Sequence, residues 1–572
     1  MYKPEHPRPD RFRPRWLNLN GEWQFTIDSG CSGKERKLHE RGIFTGKIEV
    51  PFVPESKLSG IGYQDFIKSV WYRREIEIPA DWQGGRVLLH FGAVDYLAEV
   101  WVNGVSAGTH KGGYTPFVFD ISVLLNSDKN ILTVNTYDDV LDPMQPSGKQ
   151  CDRYYNHGCH YTRCTGIWQT VWLEWVPELY ITDFKLTPDV DNGRLFISAA
   201  LNQYAGGQMF TAVASLDGEF SAECVAIATG KTVSAVLDLP GAKLWNPSAA
   251  AGTGAPVLYD LKLKIGDDEV ATYFGMRKIE INGFAIEING RPVFQRLVLD
   301  QGYYPDGIYT AKDDEEIKRD IVLAMEAGFN GARMHMKVFE PRYLYWADRL
   351  GYMVWGEYPN WGLDERDERA LLHMLPEWIE AVKRDYNHPA VVGWCPFNET
   401  RPERAADIFK SVYQTTRLYD AMRPIIDTSG YVHAVTDIYD VHDYEQNIDI
   451  FRERYAKVAD GSHIWLNRPD IEKYGGQPYF VSEFGGPWRN IDGGEDGWGY
   501  GQAPRDEEEF YARYQGWVDA LLDNPRICAF CFTQITDVMQ EKNGMYTFRR
   551  EPKYDMARVR AINEKKAAVE KE

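Results

Sequence analysis

The apolar and polar positions fall into three successive rhythms. As far as about residue 180 the chain carries short strand-like runs: Ser69–Ile78 (SVWYRREIEI), Arg86–Phe91 (RVLLHF), Ala98–Asn103 (AEVWVN), Asn130–Asn135 (NILTVN) and Trp168–Trp175 (WQTVWLEW). Turn signals such as Gln83-Gly84-Gly85 and Asn103-Gly104 separate them, and Asn-Gly between two strands is a hairpin signal. Closely spaced strands of this kind predict a β-sandwich or jelly roll over residues 1–180. Residues 181–283 are β-rich again, with runs at Tyr180–Leu186, Gly193–Leu201, Lys231–Leu239, Val257–Lys264 and Glu269–Phe274. That length suits one small immunoglobulin-like sandwich, read as a spacer between two working domains.

From residue 284 to 572 the rhythm becomes strand–helix alternation, which predicts parallel βα units. The expected strands are Val293–Leu299, Gly331–His335, Tyr352–Trp355, Val391–Phe397, Pro424–Ile426, Ile438–Val441, Tyr479–Val481 and Ile527–Phe532. A helix starts near Thr310 with acid at 313–316 in its first turn, where it suits the helix dipole. Eight such units in this length make one (β/α)8 TIM barrel. The expected fold class is thus multidomain, β plus α/β, and Lys565–Glu572 reads as a frayed charged tail.

Composition narrows the function classes. A net charge of −20 argues against nucleic acid, which needs a basic face. There is no run of about 18 apolar residues for a membrane span, and the polar N-terminus lacks a signal peptide's apolar segment, so a cytoplasmic location is expected. Eight cysteines are too few for a disulfide scaffold at this size. Cys151, His157, Cys159, His160 and Cys164 cluster in one segment, but their spacing matches no zinc module, so no metal is assigned. Cys528 and Cys531 sit in an apolar run and read as packing. No cofactor is called for.

Two of the strand-like runs stop at carboxylates. VVGWCPFNET ends in Asn398-Glu399, and QPYFVSEFGGP ends in Glu483 before a Gly-Gly turn. The C-terminal ends of barrel strands carry the chemistry in this fold, and two carboxylates there are the minimum equipment for glycoside hydrolysis. At these residues the chain resembles glycoside hydrolase family 2, the family of β-galactosidase, β-glucuronidase and β-mannosidase. Further matches are Leu19-Asn20-Gly21-Glu22-Trp23, Thr165-Gly166-Ile167-Trp168-Gln169, Phe274-Gly275-Met276-Arg277 and Gln534-Ile535-Thr536-Asp537, in the family's order and over nearly the whole chain. The resemblance implies an N-terminal jelly roll, an immunoglobulin-like sandwich and a catalytic barrel. It also implies a retaining mechanism with Glu399 as acid/base and Glu483 as nucleophile, and a jelly-roll loop, Cys151 to Cys164, reaching the barrel mouth.

Glu399 must keep its proton near neutral pH, and an apolar wall from Trp394 and Phe397 together with the charge of Glu483 would help it do so. Asn398 is expected to bind the hydroxyl next to the anomeric carbon, and Tyr444 stands where the family keeps a tyrosine touching the nucleophile. Arg333, His335, Asp300, Glu357 and Gln534 end other strands and are sugar-binding candidates, with a structural ion pair the rival role for Arg333. Trp361 and Trp488 are stacking candidates; His442 and Asp443 rank behind these.

The sugar is where the family pattern departs. β-Galactosidases and β-glucuronidases carry an aspartate six residues before the glycine of the Gly-Ile segment; here His160 stands there, with Arg163 nearby as a substitute ligand. β-Glucuronidases hold the uronate through Asn-x-Lys before a glycine after strand eight; here Glu541-Lys542-Asn543-Gly544 begins with an acid. That favours a β-galactosidase-like exo-glycosidase. The alternatives are β-glucuronidase or β-galacturonidase (with Arg163, Arg333 and Lys337 as an anion site), β-mannosidase, arabinosidase, or a catalytically silent carbohydrate-binding protein. The expected partner is a small-molecule or oligosaccharide glycoside, with no nucleic acid and no membrane. The family's frequent dimers and tetramers imply a homo-oligomer by analogy.

Overall fold

The computed structural model describes residues 2–571 except 43, 249–254, 402, 492 and 494–496. Its N-terminal part packs a six-stranded antiparallel sheet on a four-stranded one. Inward positions such as Trp23, Tyr72, Leu89, Val100 and Val134 form the core between them. The Asn103-Gly104 turn joins Leu97–Val102 to Val105–Lys111 with both residues at positive φ, 54° and 80°, the two-residue turn whose twist matches paired strands. Trp168, expected inside a strand, lies outside one: the strand is Val171–Val176, and the buried indole donates 2.7 Å to the Gly113 carbonyl.

The second sandwich has sheets of three and four strands. The alternation is clean in Thr232–Asp238 and Tyr259–Ile265, where every second residue is buried. One hairpin, Met209–Leu216 with Glu219–Ile227, was not expected from the sequence. Its inward positions include Ala212, Ala214 and Ala222, too small to register as a hydrophobic stripe.

The C-terminal part is a parallel curled sheet. Its strands, in spatial order, are Val391–Cys395, Met353–Glu357, Gly331–Met334, Gln295–Asp300, Ile527–Phe532, Tyr479–Phe484 and Tyr439–Asp443. They are buried along their whole length, which is why they read as continuous apolar runs. The expected fifth strand is reduced to a single parallel bridge between Trp394 and Ile425. The Asp427 carboxylate accepts from the backbone N–H groups of Thr428, Ala434 and Val435, turning the chain before a ladder can form. Segment 425–429 still fills the gap between strands four and six. The helix expected near Thr310 begins at Asp314, capped by the Asp313 carboxylate on the Glu316 N–H. The C-terminal tail is docked rather than frayed: Glu570 pairs with Arg296 at 2.8 Å and accepts from the Phe294 N–H. No helix among the described residues is long and apolar enough to cross a membrane.

The jelly roll is bolted to the barrel by polar bonds, among them the buried Tyr114 N–H to Glu377 and the partly buried Thr115 Oγ1 to Glu380, both 2.6 Å. These bonds fix where its long loop falls on the barrel mouth.

Candidate active site

Glu399 and Glu483 come together at the C-terminal end of the barrel. One carboxylate oxygen of each lies within 4.8 Å of the other, with a ring nitrogen of His442 within the same distance of both. Glu399 follows strand four at φ 50°, a left-handed conformation that costs a non-glycine residue about 1–3 kcal/mol and clusters at functional sites. It is held there by parallel pairing of Asn398 with Ser429 and by the Glu399 N–H to the Ser429 carbonyl, 2.9 Å. Glu483 lies in strand seven opposite His442, where a register shift interrupts the ladder; such a bulge re-aims side chains.

Arg333 organises the floor. Its guanidinium donates to Glu357 (2.6 Å), the Ser482 carbonyl (2.8 Å), Glu483 (3.1 Å) and Asn398 Oδ1 (3.1 Å). Glu357 also accepts from His335 Nδ1 at 3.0 Å and from the Met336 N–H. Every charged group of this buried network has an opposite partner, and removal of one would leave an uncompensated charge. Burial alone would raise the Glu483 carboxyl. The charges of His442, His335 and Arg333 and the hydroxyl of Tyr444 overcome it and hold the group well below the usual carboxylate range. Glu483 is thus held ionised. Tyr444 also contacts Thr533 Oγ1 at 3.1 Å and stacks on Tyr500 with centroids 3.4 Å apart.

Asn398 has one buried donor to spare. Its Oδ1 is taken by Arg333, but Nδ2 has no partner, and a buried orphan donor invites an acceptor. The group against the Glu399 carboxylate is the His442 imidazole, at 2.8 Å, rather than an apolar wall. Trp394 instead donates to Asp420 and packs on Trp378, and Phe397 packs on Phe409.

The jelly-roll loop closes one side. Ser147 N–H bonds the Trp361 carbonyl, Gln540 donates to the carbonyls of Gly158 and His160, and Trp498 donates to Gly158. The His160 ring lies tilted against Trp361 with centroids 5.4 Å apart, and burial with the charge of Lys149 pushes its imidazole down to about 4. The neutral ring leaves Nδ1 unpartnered. Trp361 donates to the Asn398 carbonyl at 3.1 Å. Gln534 bridges Gln301 and Asn543. Trp488 lies in the loop after strand seven with its N–H unpartnered.

Several candidates fall elsewhere. Asp300 is occupied by the Gly302 N–H and the Tyr343 hydroxyl, so it braces the loop after strand one. Arg163 donates through its two terminal nitrogens to the carbonyls of Cys151, Arg153 and Gln64 and stacks on Phe66; these tie its loop to the segment around Gln64. Lys337 is spent on the carbonyls of Gly302 and Tyr309. Asp443 binds Arg454 and Tyr455 of the following helix. In the cysteine segment, Cys151, Asp152 and His157 bring ligand atoms within 4.8 Å of one another, one fewer than a structural zinc site takes.

The sequence reading missed Lys149. Its buried ammonium lies 4.3 Å over the Trp361 ring and has no carboxylate within salt-bridge distance among the described residues. Burial works against its charge, but Cys159, Glu541, Glu399 and Glu483 outweigh it, so its pKa is raised. Tyr161 was also missed. Its hydroxyl donates to Glu541 and accepts from Gln301, and Asn543 donates to the other Glu541 oxygen at 2.9 Å. No local pattern marks either residue, because both come to the site from the other domain.

Three family models match: the sugar-binding domain of glycosyl hydrolases family 2 over residues 61–183, a second family 2 domain over 179–277 and the family 2 TIM barrel domain over 309–525. The chain is 26% identical to a β-glucuronidase of Paenibacillus borealis over 94% of both chains. It is 28% identical to that of Sus scrofa, over 82% of this chain and 79% of the other. Among solved structures, the β-glucuronidase of an uncultured Clostridium sp. superposes with a TM-score of 0.80 at 22% identity, covering 98% and 99% of the two chains. The Ruminococcus gnavus β-glucuronidase in complex with D-glucuronic acid gives 0.78 at 19%, with the same coverage; at these identities the superpositions speak for the fold. The chain belongs to glycoside hydrolase family 2 and is a retaining glycoside hydrolase.

Proposed function

We propose that the chain is an exo-acting β-glycosidase that removes a terminal β-uronide by double displacement, with Glu483 as nucleophile and Glu399 as acid/base. The observation that carries the mechanism is the approach of the two carboxylates, one oxygen of each within 4.8 Å of the other. Retaining enzymes hold the groups about 5–5.5 Å apart, whereas inverting ones need about 6.5–9.5 Å to admit a water. Ionised Glu483 attacks the anomeric carbon while Glu399 gives its proton to the departing oxygen. Glu399 then takes a proton from the water that cleaves the glycosyl-enzyme. Asn398 Nδ2 binds the neighbouring sugar hydroxyl. The jelly-roll loop over one side of the mouth supports action at a chain end.

Two observations support a uronide. The relatives above are named β-glucuronidases, and Lys149 is a buried cation at the site with no salt bridge among the described residues. The β-galactosidase-like reading retains one observation in its favour: buried Glu541, an acceptor for hydroxyls and a poor neighbour for a carboxylate. The test is a panel of nitrophenyl β-glucuronide, β-galacturonide, β-galactoside, β-mannoside, β-glucoside and α-L-arabinoside, with Glu483→Gln beside it. Uronide turnover that vanishes in the variant is expected. Turnover of the β-galactoside alone would overturn the sugar, and undiminished turnover by Glu483→Gln would overturn the nucleophile.

A further inference from the structure

A cavity of about 530 Å³ opens beside Glu399, its wall including Trp361, His160, Arg366, Arg401 and Arg404. Glu483, Asn398, Arg333 and Tyr444 are not part of that wall. On the reading that Glu399 protonates the leaving oxygen, a space bounded by Glu399 and not by the nucleophile is the space of the leaving group.

Its charges are unevenly paired. Arg366 forks onto Asp364 at 2.7 and 2.8 Å, and Asp152 is engaged by His157 at 2.8 Å. Burial pushes the Glu365 carboxyl up to about 7 against its bond from Asn360 and the charges of Arg404 and Arg401, so near neutral pH it is a weak counter-charge for those arginines. Arg401 and Arg404 have no carboxylate within 4 Å among the described residues. Arg404 is oriented from behind by the Phe409 ring, 4.7 Å from its guanidinium carbon, and its buried Nε has no hydrogen-bond partner. A half-buried guanidinium with an unspent N–H is costly unless an anion meets it, and its fork matches the paired oxygens of a carboxylate or a sulfate.

We propose that this cavity is the leaving-group subsite and that Arg401 and Arg404 select an aglycone carrying an oxyanion, a carboxylate or a sulfate ester, on the unit next to the scissile bond. The inference rests on the assignment of Glu399 and adds the charge of the group beyond it. Trp361 supplies an aromatic wall for that unit, and the arginines supply the charge.

The experiment compares three umbelliferyl glycosides of whichever sugar the panel shows to be cleaved: the neutral 4-methyl aglycone, a 3-carboxylate and a 6-sulfonate. The full chain is assayed as wild type, Arg404→Gln and Arg401→Gln/Arg404→Gln. The expected result is a fall of about tenfold in the ratio of kcat/KM for the anionic to the neutral aglycone in the double variant. The carboxylate and sulfonate arms show which oxyanion is preferred. Wild-type KM for the anionic aglycones should also rise with ionic strength more steeply than for the neutral one, a readout that needs no variant to fold. An unchanged ratio, or equal salt dependence for all three, overturns the proposal. Glu399→Gln with added azide separates the two assignments. Azide attacks the glycosyl-enzyme in place of water and needs no general base, releasing Glu483 as its bond to the sugar breaks, so glycosyl azide formation supports Glu399 independently of the arginines. Full activity of Glu399→Gln removes the assignment on which the subsite rests.

Discussion

The imidazole of His442 lies between the two glutamates, with Nδ1 2.8 Å from Glu399 Oε1 and 3.5 Å from Glu483 Oε2, while Nε2 meets Ser429 Oγ at 2.9 Å. Burial opposes charge on this ring, but Glu483 and Glu399 raise its pKa, so the imidazolium persists to higher pH than that of a free histidine. Its charge is the largest of those holding Glu483 ionised.

His442→Gln keeps a polar group and removes that charge. The pKa of Glu483 should then rise, because one fewer positive charge favours its ionised form. The acidic limb of the kcat/KM profile should move to higher pH by about one unit, and the optimum should fall about 10–100-fold. A pH–rate profile decides it: an unmoved acidic limb would show that the ring orients groups without supplying charge.

Asn398→Ala removes the unpartnered Nδ2 and one acceptor of Arg333. A bond to the sugar that strengthens in the transition state lowers kcat more than it raises KM. A fall of about 100-fold in kcat with KM changed by no more than about threefold is expected, from steady-state kinetics on the cleaved nitrophenyl glycoside. Tyr444→Phe removes the hydroxyl that donates to Glu483 and should cost about tenfold in kcat/KM.

Lys149 and Glu541 test the sugar in opposite directions. Lys149→Met removes the unpaired cation and should raise KM for a uronide by about tenfold or more while affecting a neutral glycoside less. Glu541→Gln keeps the contacts of Tyr161 and Asn543 nearly in place while removing a negative charge, and should lower KM for a uronide. If Glu541→Gln instead abolishes turnover of a β-galactoside that the wild type cleaves, the carboxylate is a hydroxyl ligand and the sugar is neutral.

The sequence is informative where an apolar run ends in a polar residue. Val391–Cys395 and Tyr479–Phe484 are buried on both faces, so each reads as an apolar run: the first stops just short of Glu399, and Ser482 and Glu483 break the second from inside the strand. It is poor where inward residues are small: alanines hid the Met209–Ile227 hairpin, although Asp217-Gly218, at φ 53° and 84°, carried the turn signal for it. It is poorest for groups that meet only after domains dock. Lys149 and Tyr161 lie about 390 and 380 residues before Glu541 and beside a cysteine–histidine cluster with a more conspicuous pattern than either. Arg163 illustrates the converse, a well-placed cation in sequence whose terminal nitrogens are taken by backbone carbonyls.

A last prediction concerns stability rather than turnover. The His433 ring is held on both nitrogens, by Asp427 Oδ1 at 2.8 Å and by the Asp440 carbonyl at 3.0 Å. Burial would lower its pKa, but Asp427, Asp440 and Glu472 raise it to about 10. A histidine whose folded pKa exceeds its unfolded value, about 6.5, binds a proton more tightly when folded. Its contribution is therefore complete below about pH 6.5 and is lost as the pH rises towards 10. It amounts to a few kcal/mol at most, on the order of 1.4 kcal/mol per pH unit across that window. The segment affected is the irregular fifth position of the barrel, so the loss should appear there first. Thermal unfolding of the wild type is expected to shift down steadily between pH 7 and 10. His433→Gln, less stable at pH 6, should show a flatter decline, and the two curves should converge at high pH. Parallel curves across the whole range would place the proton elsewhere.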